Sequence, residues 1–180
     1  MHAPTYHLMP ADLRLSPAIT LDRLLATGGP VSDTAEPILS PSLPTLLLFE
    51  CVLVYMSPSH SSALLQWFVN YFSKDMPGLG SIVYEMFGLD DAFGRVMVNN
   101  LKVYLSSGGY RVLKDLYFKT RNVSLPGVAP YTTLGSLPGR FLDTGFTAAG
   151  AVTLREIRQD YIAAEELERW IAVLARYGLD

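Results

Sequence analysis

Leu46-Leu47-Leu48-Phe49-Glu50-Cys51-Val52-Leu53-Val54-Tyr55-Met56 is the strongest apolar run in this 180-residue chain. It is shorter than the ~20 residues a helix needs to span a bilayer, and Glu50 stands inside it. Residues 46–50 follow Pro44 and read as a strand covered on both faces, the pattern of a parallel α/β sheet. Ser57-Pro58 then supplies a helix cap with proline at the first helical position. Leu64, Trp67, Phe68, Tyr71 and Phe72 recur at helical spacing and predict one apolar helix face. Pro77-Gly78 ends that helix, and residues 81–87 (Ser-Ile-Val-Tyr-Glu-Met-Phe) read as a second strand. Strand, helix and strand in this order form the crossover unit of a parallel sheet.

The flanks extend the pattern. Residues 5–9 read as a short strand running into the polar turn Pro10-Ala11-Asp12-Leu13-Arg14, and residues 21–25 as a short helix. Residues 28–44 hold four prolines and form a long loop. Residues 91–101 look helical. Residues 103–120 lose this coherence and carry Arg111, Lys114 and Lys119 against Asp115, a basic surplus in an acidic chain. Further on, residues 126–138 are turn-rich, 137–142 suggest a short helix and 146–152 a strand. Thr153 is placed to cap a helix, and residues 165–177 form another, acidic first and basic last as the helix dipole prefers.

Hydrophobic residues make up 49% of the chain and charged residues 17%, a globular balance rather than a disordered one. The net charge of −3 lacks the basic surplus of a nucleic-acid or anionic-membrane binder. A single cysteine excludes an internal disulfide framework, and His2, His7 and His60 lack metal-ligand spacing. Neither a Gly-x-Ser-x-Gly elbow, a Gly-x-Gly-x-x-Gly turn nor a Walker loop is present. The N-terminus shows no basic region followed by an apolar stretch, so the expectation is a soluble, cytoplasmic protein without a metal.

Three residues could carry chemistry. Asp12 lies beyond a predicted strand, where its carboxylate could accept from an exocyclic amine while the next backbone N–H donates to a ring nitrogen, or could simply cap the turn. Glu50 is costly to bury unpaired and must reach water, a ligand or an arginine partner. At the carboxyl end of a parallel strand it stands where open α/β sheets bind ligands. Tyr55 precedes the helix cap and could offer its hydroxyl to a substrate or serve as an amphipathic core residue.

Glu50-Cys51-Val52-Leu53-Val54-Tyr55-Met56, entered from Pro44-Thr45-Leu46, resembles the leucine carboxyl methyltransferases. Other blocks match in the same order: Tyr6-His7-Leu8 with Ala11-Asp12-Leu13-Arg14, Asp91-Ala92-Phe93-Gly94 with Asn100-Leu101, Arg140-Phe141 to Thr147-Ala148-Ala149, and Glu166-Leu167-Glu168-Arg169. The resemblance implies an α/β fold of the S-adenosylmethionine-dependent methyltransferase (Rossmann-like) type, here lacking its first strands. It implies S-adenosyl-L-methionine as cofactor, with Asp12 and Leu13 at the adenine, Glu50 lining the cofactor pocket and Tyr55 on the side of the target carboxylate. It implies methylation of the C-terminal leucine carboxylate of a phosphatase 2A catalytic subunit, whose C-terminal tail is the partner. The family's N-terminal half and terminal strand have no counterpart, and residues 103–120 interrupt its pattern. The expectation is one incomplete domain over residues 1–180 with an insertion at 103–120, of low or no activity. The alternative is a non-catalytic fragment that binds the phosphatase.

Overall fold

The computed structural model describes residues 2–3, 6–21, 39–72, 78–101 and 124–176. They divide into two compact units, one within residues 1–149 and one within residues 150–180.

The first unit is mixed α/β and is built on the predicted crossover. Strand β3 (Thr45–Glu50) pairs in parallel with β4 (Leu79–Tyr84), with helix α2 (Pro58–Phe72) between them in sequence. The register sets Thr45 opposite Leu79 and Glu50 opposite Tyr84. The ladder continues one step further, where the Cys51 N–H donates to the Tyr84 carbonyl at 2.8 Å. The second strand starts and ends earlier than the apolar pattern of residues 81–87 suggests, because its partner strand stops at Glu50. The Ser57 hydroxyl accepts from the His60 N–H at 3.3 Å, as the predicted cap requires.

Alternation along the strands determines which side is covered. Phe49 is buried, with Leu47, Leu79 and Val83 packed on the same core cluster. The other face carries Leu46 and Leu48, 61% and 71% exposed, together with Ile82 and Tyr84. Among the described residues the sheet is therefore covered on one face, where the unbroken run of leucines suggests both. The covered side packs on α2 through Leu64, Leu65, Phe68 and Phe72, all buried. Each such side chain contributes about 1.5–3 kcal/mol of hydrophobic stabilisation. Trp67 stacks on Tyr71, and the Tyr71 hydroxyl donates to the Leu39 carbonyl at 2.5 Å.

Smaller elements surround this centre. Strands β1 (His2–Ala3) and β2 (Tyr6–His7) make a two-residue antiparallel pair, shorter than the predicted strand. Helix α1 (Pro17–Leu21) precedes the predicted helical position; residues 22–38 lie outside the described set, as do the predicted insertion at 103–120 and residues 177–180. Helix α3 (Ala92–Leu101) is capped by Asp91, whose Oδ1 accepts from the Gly94 N–H at 2.6 Å. Gly94 lies against the Leu89 backbone, where a Cβ would come within 2.7 Å. Helix α4 (Gly139–Leu142) is closed by an edge-to-face contact between Phe141 and Phe146. The predicted strand at 146–152 does not form: no described strand lies alongside to pair with it.

In the second unit, α5 (Leu154–Glu156) begins with a capping box. The Glu156 N–H donates to the Thr153 hydroxyl at 3.1 Å, and the Thr153 N–H donates to Glu156 Oε2 at 2.7 Å. These bonds hold the Glu156 carboxyl below its ordinary value, the backbone N–H first and the hydroxyl second. A π turn (Ile157–Tyr161) leads to α6 (Ala164–Arg176). There Glu166 forms an ion pair with Arg169 and accepts from the Trp170 indole N–H at 2.9 Å. No helix among the described residues is long and apolar enough to cross a membrane.

Candidate functional site

The carboxyl ends of β3 and β4 form a rim on which the predicted residues can be located. Glu50 ends β3 on the open face, beside Tyr84. Its side chain is exposed and makes no ion pair with a described residue, so the arginine partner considered above is not found there. Directly after it, Cys51 adopts φ of +49° without being a glycine. Left-handed backbone at a non-glycine residue costs of order 1–3 kcal/mol and is concentrated at functional sites. This bend sends the chain off the strand into a single 3-10 turn, Leu53–Tyr55. Leu53 and Val54 are fully buried, while Tyr55 is 44% exposed beside them.

Asp12 and Leu13 are held near the start of α2. Leu13 packs against the cluster that includes Phe49 and Leu53. No described residue accepts from its N–H. Asp12 is exposed and grips Arg14. Its Oδ1 accepts from the Arg14 backbone N–H at 3.0 Å and from Nε at 2.9 Å, and its Oδ2 accepts from Nη2 at 2.8 Å. Those bonds lower the Asp12 carboxyl to about 2, with a smaller contribution from the nearby His60. These bonds meet the turn-cap reading. Three of roughly four lone-pair sites are occupied and one is left for a further donor. No described hydrogen bond or ion pair joins Asp12 to Glu50 or Tyr55.

Arg14→Ala is expected to return the Asp12 carboxyl toward its ordinary 3.8, as followed by carboxyl-carbon NMR titration. Because the folded value is depressed, the stability this group contributes is present above pH 3.8 and is lost as pH falls toward about 2. Arg14→Ala should therefore be less stable than wild type above about pH 3.8, and the two acid-unfolding profiles should converge as pH falls toward 2.

Beneath the rim lies a feature absent from the sequence expectations. Glu85 follows β4, and Arg140 comes from α4; their side chains are 5% and 3% exposed. Arg140 Nη1 donates to Glu85 Oε2 at 2.5 Å, and Nη2 donates to the Gly127 carbonyl at 2.7 Å. The guanidinium also lies 4.2 Å over the Tyr131 ring. Burial holds the Glu85 carboxyl above its ordinary range, opposed by Arg140 and by the Leu53 backbone N–H that faces it. Gly127 in turn donates its N–H to the Val54 carbonyl at 3.0 Å. A lone carboxylate after Ser-Ile-Val-Tyr was the available signal for Glu85, of the same kind that drew attention to Glu50.

A separate open cavity of about 500 Å3 lies between α3 and the turn at residues 124–129. None of Asp12, Leu13, Glu50 or Tyr55 lines it. Among the described residues no group of acidic, histidine or cysteine side chains could hold a metal ion.

No family model matches the chain. Individual proteins do. Leucine carboxyl methyltransferase 1 of Cryptococcus neoformans is 40% identical over 174 residues, 94% of this chain and 42% of that protein. The protein of the same name from Aspergillus fumigatus is 32% identical, covering 94% of this chain and 40% of its own length. That of Bos taurus is 35% identical over 72% of this chain and 34% of its own. The chain thus spans about two-fifths of the length of the fungal relatives it matches. Over nearly its whole length it is homologous to part of leucine carboxyl methyltransferase 1.

Proposed function

We propose that this chain supplies part of an S-adenosyl-L-methionine-dependent carboxyl methyltransferase acting on the C-terminal leucine of a phosphatase 2A catalytic subunit. The sheet is then a portion of a Rossmann-like methyltransferase sheet. Homology to leucine carboxyl methyltransferase 1 supports the reading, and one observation carries it to the site. Glu50 is a carboxylate at the carboxyl end of a parallel strand, without an ion-pair partner among the described residues and immediately before the left-handed Cys51.

The residues present fit the cofactor. Asp12 retains acceptor capacity for an exocyclic amine and Leu13 an N–H for a ring nitrogen, the two complements of an adenine edge. Glu50 offers acceptors to the adenosyl group. When bound, S-adenosyl-L-methionine supplies an electrophilic methyl group. A leucine α-carboxylate, with an ordinary pKa of about 3.3–3.7, is already ionised at neutral pH, so the protein needs no strong general base. Its task is to position the acceptor and exclude water. Tyr55, exposed on the rim, is assigned to the acceptor carboxylate, to which its hydroxyl can donate.

Calorimetric titration of the chain with S-adenosylhomocysteine tests this. Glu50→Gln and Asp12→Asn are each expected to weaken binding about ten- to a hundredfold, the range for a lost hydrogen bond to a charged group. Tyr55→Phe should leave that affinity unchanged and lower methyl transfer to a leucine-terminated peptide. A wild-type chain that does not bind the nucleoside overturns the reading; peptide binding without nucleoside binding would favour a non-catalytic interaction fragment instead.

A further inference from the structure

The 3-10 turn that carries Tyr55 is tied from its buried side, through Gly127, to a buried ion pair. The Val54 carbonyl accepts from the Gly127 N–H, and the Gly127 carbonyl accepts from Arg140. Arg140 also donates to Glu85, which directly follows Tyr84, the residue whose carbonyl accepts from the Cys51 N–H. Arg140 thus uses one arm for Gly127 and the other for Glu85, and its planar fork suits it to hold two acceptors at once. Glu50 and Cys51 enter the turn and Tyr55 leaves it.

We propose that the Glu85–Arg140 pair is a positioning device for the rim. By fixing the Leu53–Tyr55 turn from its buried side, it sets Glu50 and Tyr55 for the adenosyl ligand and the acceptor, a role that rests on the methyltransferase reading. Neither residue touches a ligand. A purely structural pair would alter melting and leave the rim of a folded variant unchanged.

Cys51 is the only cysteine of the chain and stands on the rim, half-buried, so its alkylation reports the turn without any ligand. The test compares wild type, Arg140→Lys and the double variant Glu85→Leu/Arg140→Met, which removes the pair without stranding a buried charge. Each is measured for cooperative melting, iodoacetamide reaction at Cys51 and S-adenosylhomocysteine affinity. In a cooperatively melting double variant, Cys51 is expected to react about tenfold faster through local opening of the turn. The same variant should bind the nucleoside about tenfold more weakly. Arg140→Lys, which keeps the cation and loses the fork, should fall between. Wild-type behaviour in either measurement by a folded double variant overturns the proposal. If the double variant does not melt cooperatively, Arg140→Lys decides. Faster Cys51 reaction at an unchanged melting temperature supports the device, and a wild-type rate overturns it. Pair-dependent Cys51 kinetics in a chain whose wild type binds no nucleoside keep the turn-fixing role and overturn the ligand reading, so the two failures are separable.

Discussion

Gly127→Ala is expected to lower the melting temperature by roughly 10 °C, from about 3 kcal/mol of overpacking at 2–4 °C per kcal/mol in a chain of this size. A Cβ on Gly127 would run into the Leu53 carbonyl and come within 2.9 Å of the Met56 carbonyl. Both belong to backbone rather than to side-chain tips, so neither can rotate away. Separating the two loops would stretch the Gly127 N–H bond to Val54 and the Arg140 bond to the Gly127 carbonyl. Calorimetric melting checks the prediction; a shift under 3 °C would mean that the turn yields without loss. Gly78, with nothing near its Cβ position, supplies the control, since alanine there meets no clash.

The second large effect comes from breaking the buried pair on one side. Arg140→Met leaves Glu85 as a buried carboxylate without its cation and is expected to cost about 3–5 kcal/mol. Glu85→Leu strands Arg140 and should cost a similar amount. The double replacement removes both charges, and apolar substitution of such pairs is often neutral or stabilising. Urea unfolding of the four forms therefore closes a cycle in which most of the single losses are recovered together. If the two single losses simply add, the pair is not coupled. Glu85 Oε1 and Arg140 Nε lack partners among the described residues, so the wild-type pair itself carries a desolvation cost.

The parts of this fold legible in the sequence were the local ones. Residues 46–50 announce a strand through an unbroken apolar run, and α2 announces itself through helical spacing after Ser57-Pro58. The same run could not say how many faces are covered: alternation is what separates one from two, and Leu46 to Leu48 show none. Strand 146–152 failed because pairing needs a neighbour, which local pattern does not supply. Within the site, Glu50 was legible because a carboxylate among leucines is conspicuous. Arg140 and Glu85 lie 55 positions apart, and only the fold brings them together. Cys51 gave no sign of its left-handed backbone, since the usual marker of that conformation is glycine. The grip of Arg14 on Asp12 was visible in principle, because the residues stand two apart in one turn.

The parallel pairing of β3 with β4 also constrains the order of folding. A hairpin can zip from its turn, but these strands are joined through α2 and cannot pair until the intervening chain has folded back. The loop entropy must be met before any ladder bond compensates for it. Helix α2 docking on Phe49 and Leu53 is the step that can meet it, because it gathers apolar contacts before the second strand arrives. In kinetic terms, truncations in Leu64 or Leu65 should slow refolding, whereas changes at the β4 end, Tyr84 among them, should chiefly speed unfolding.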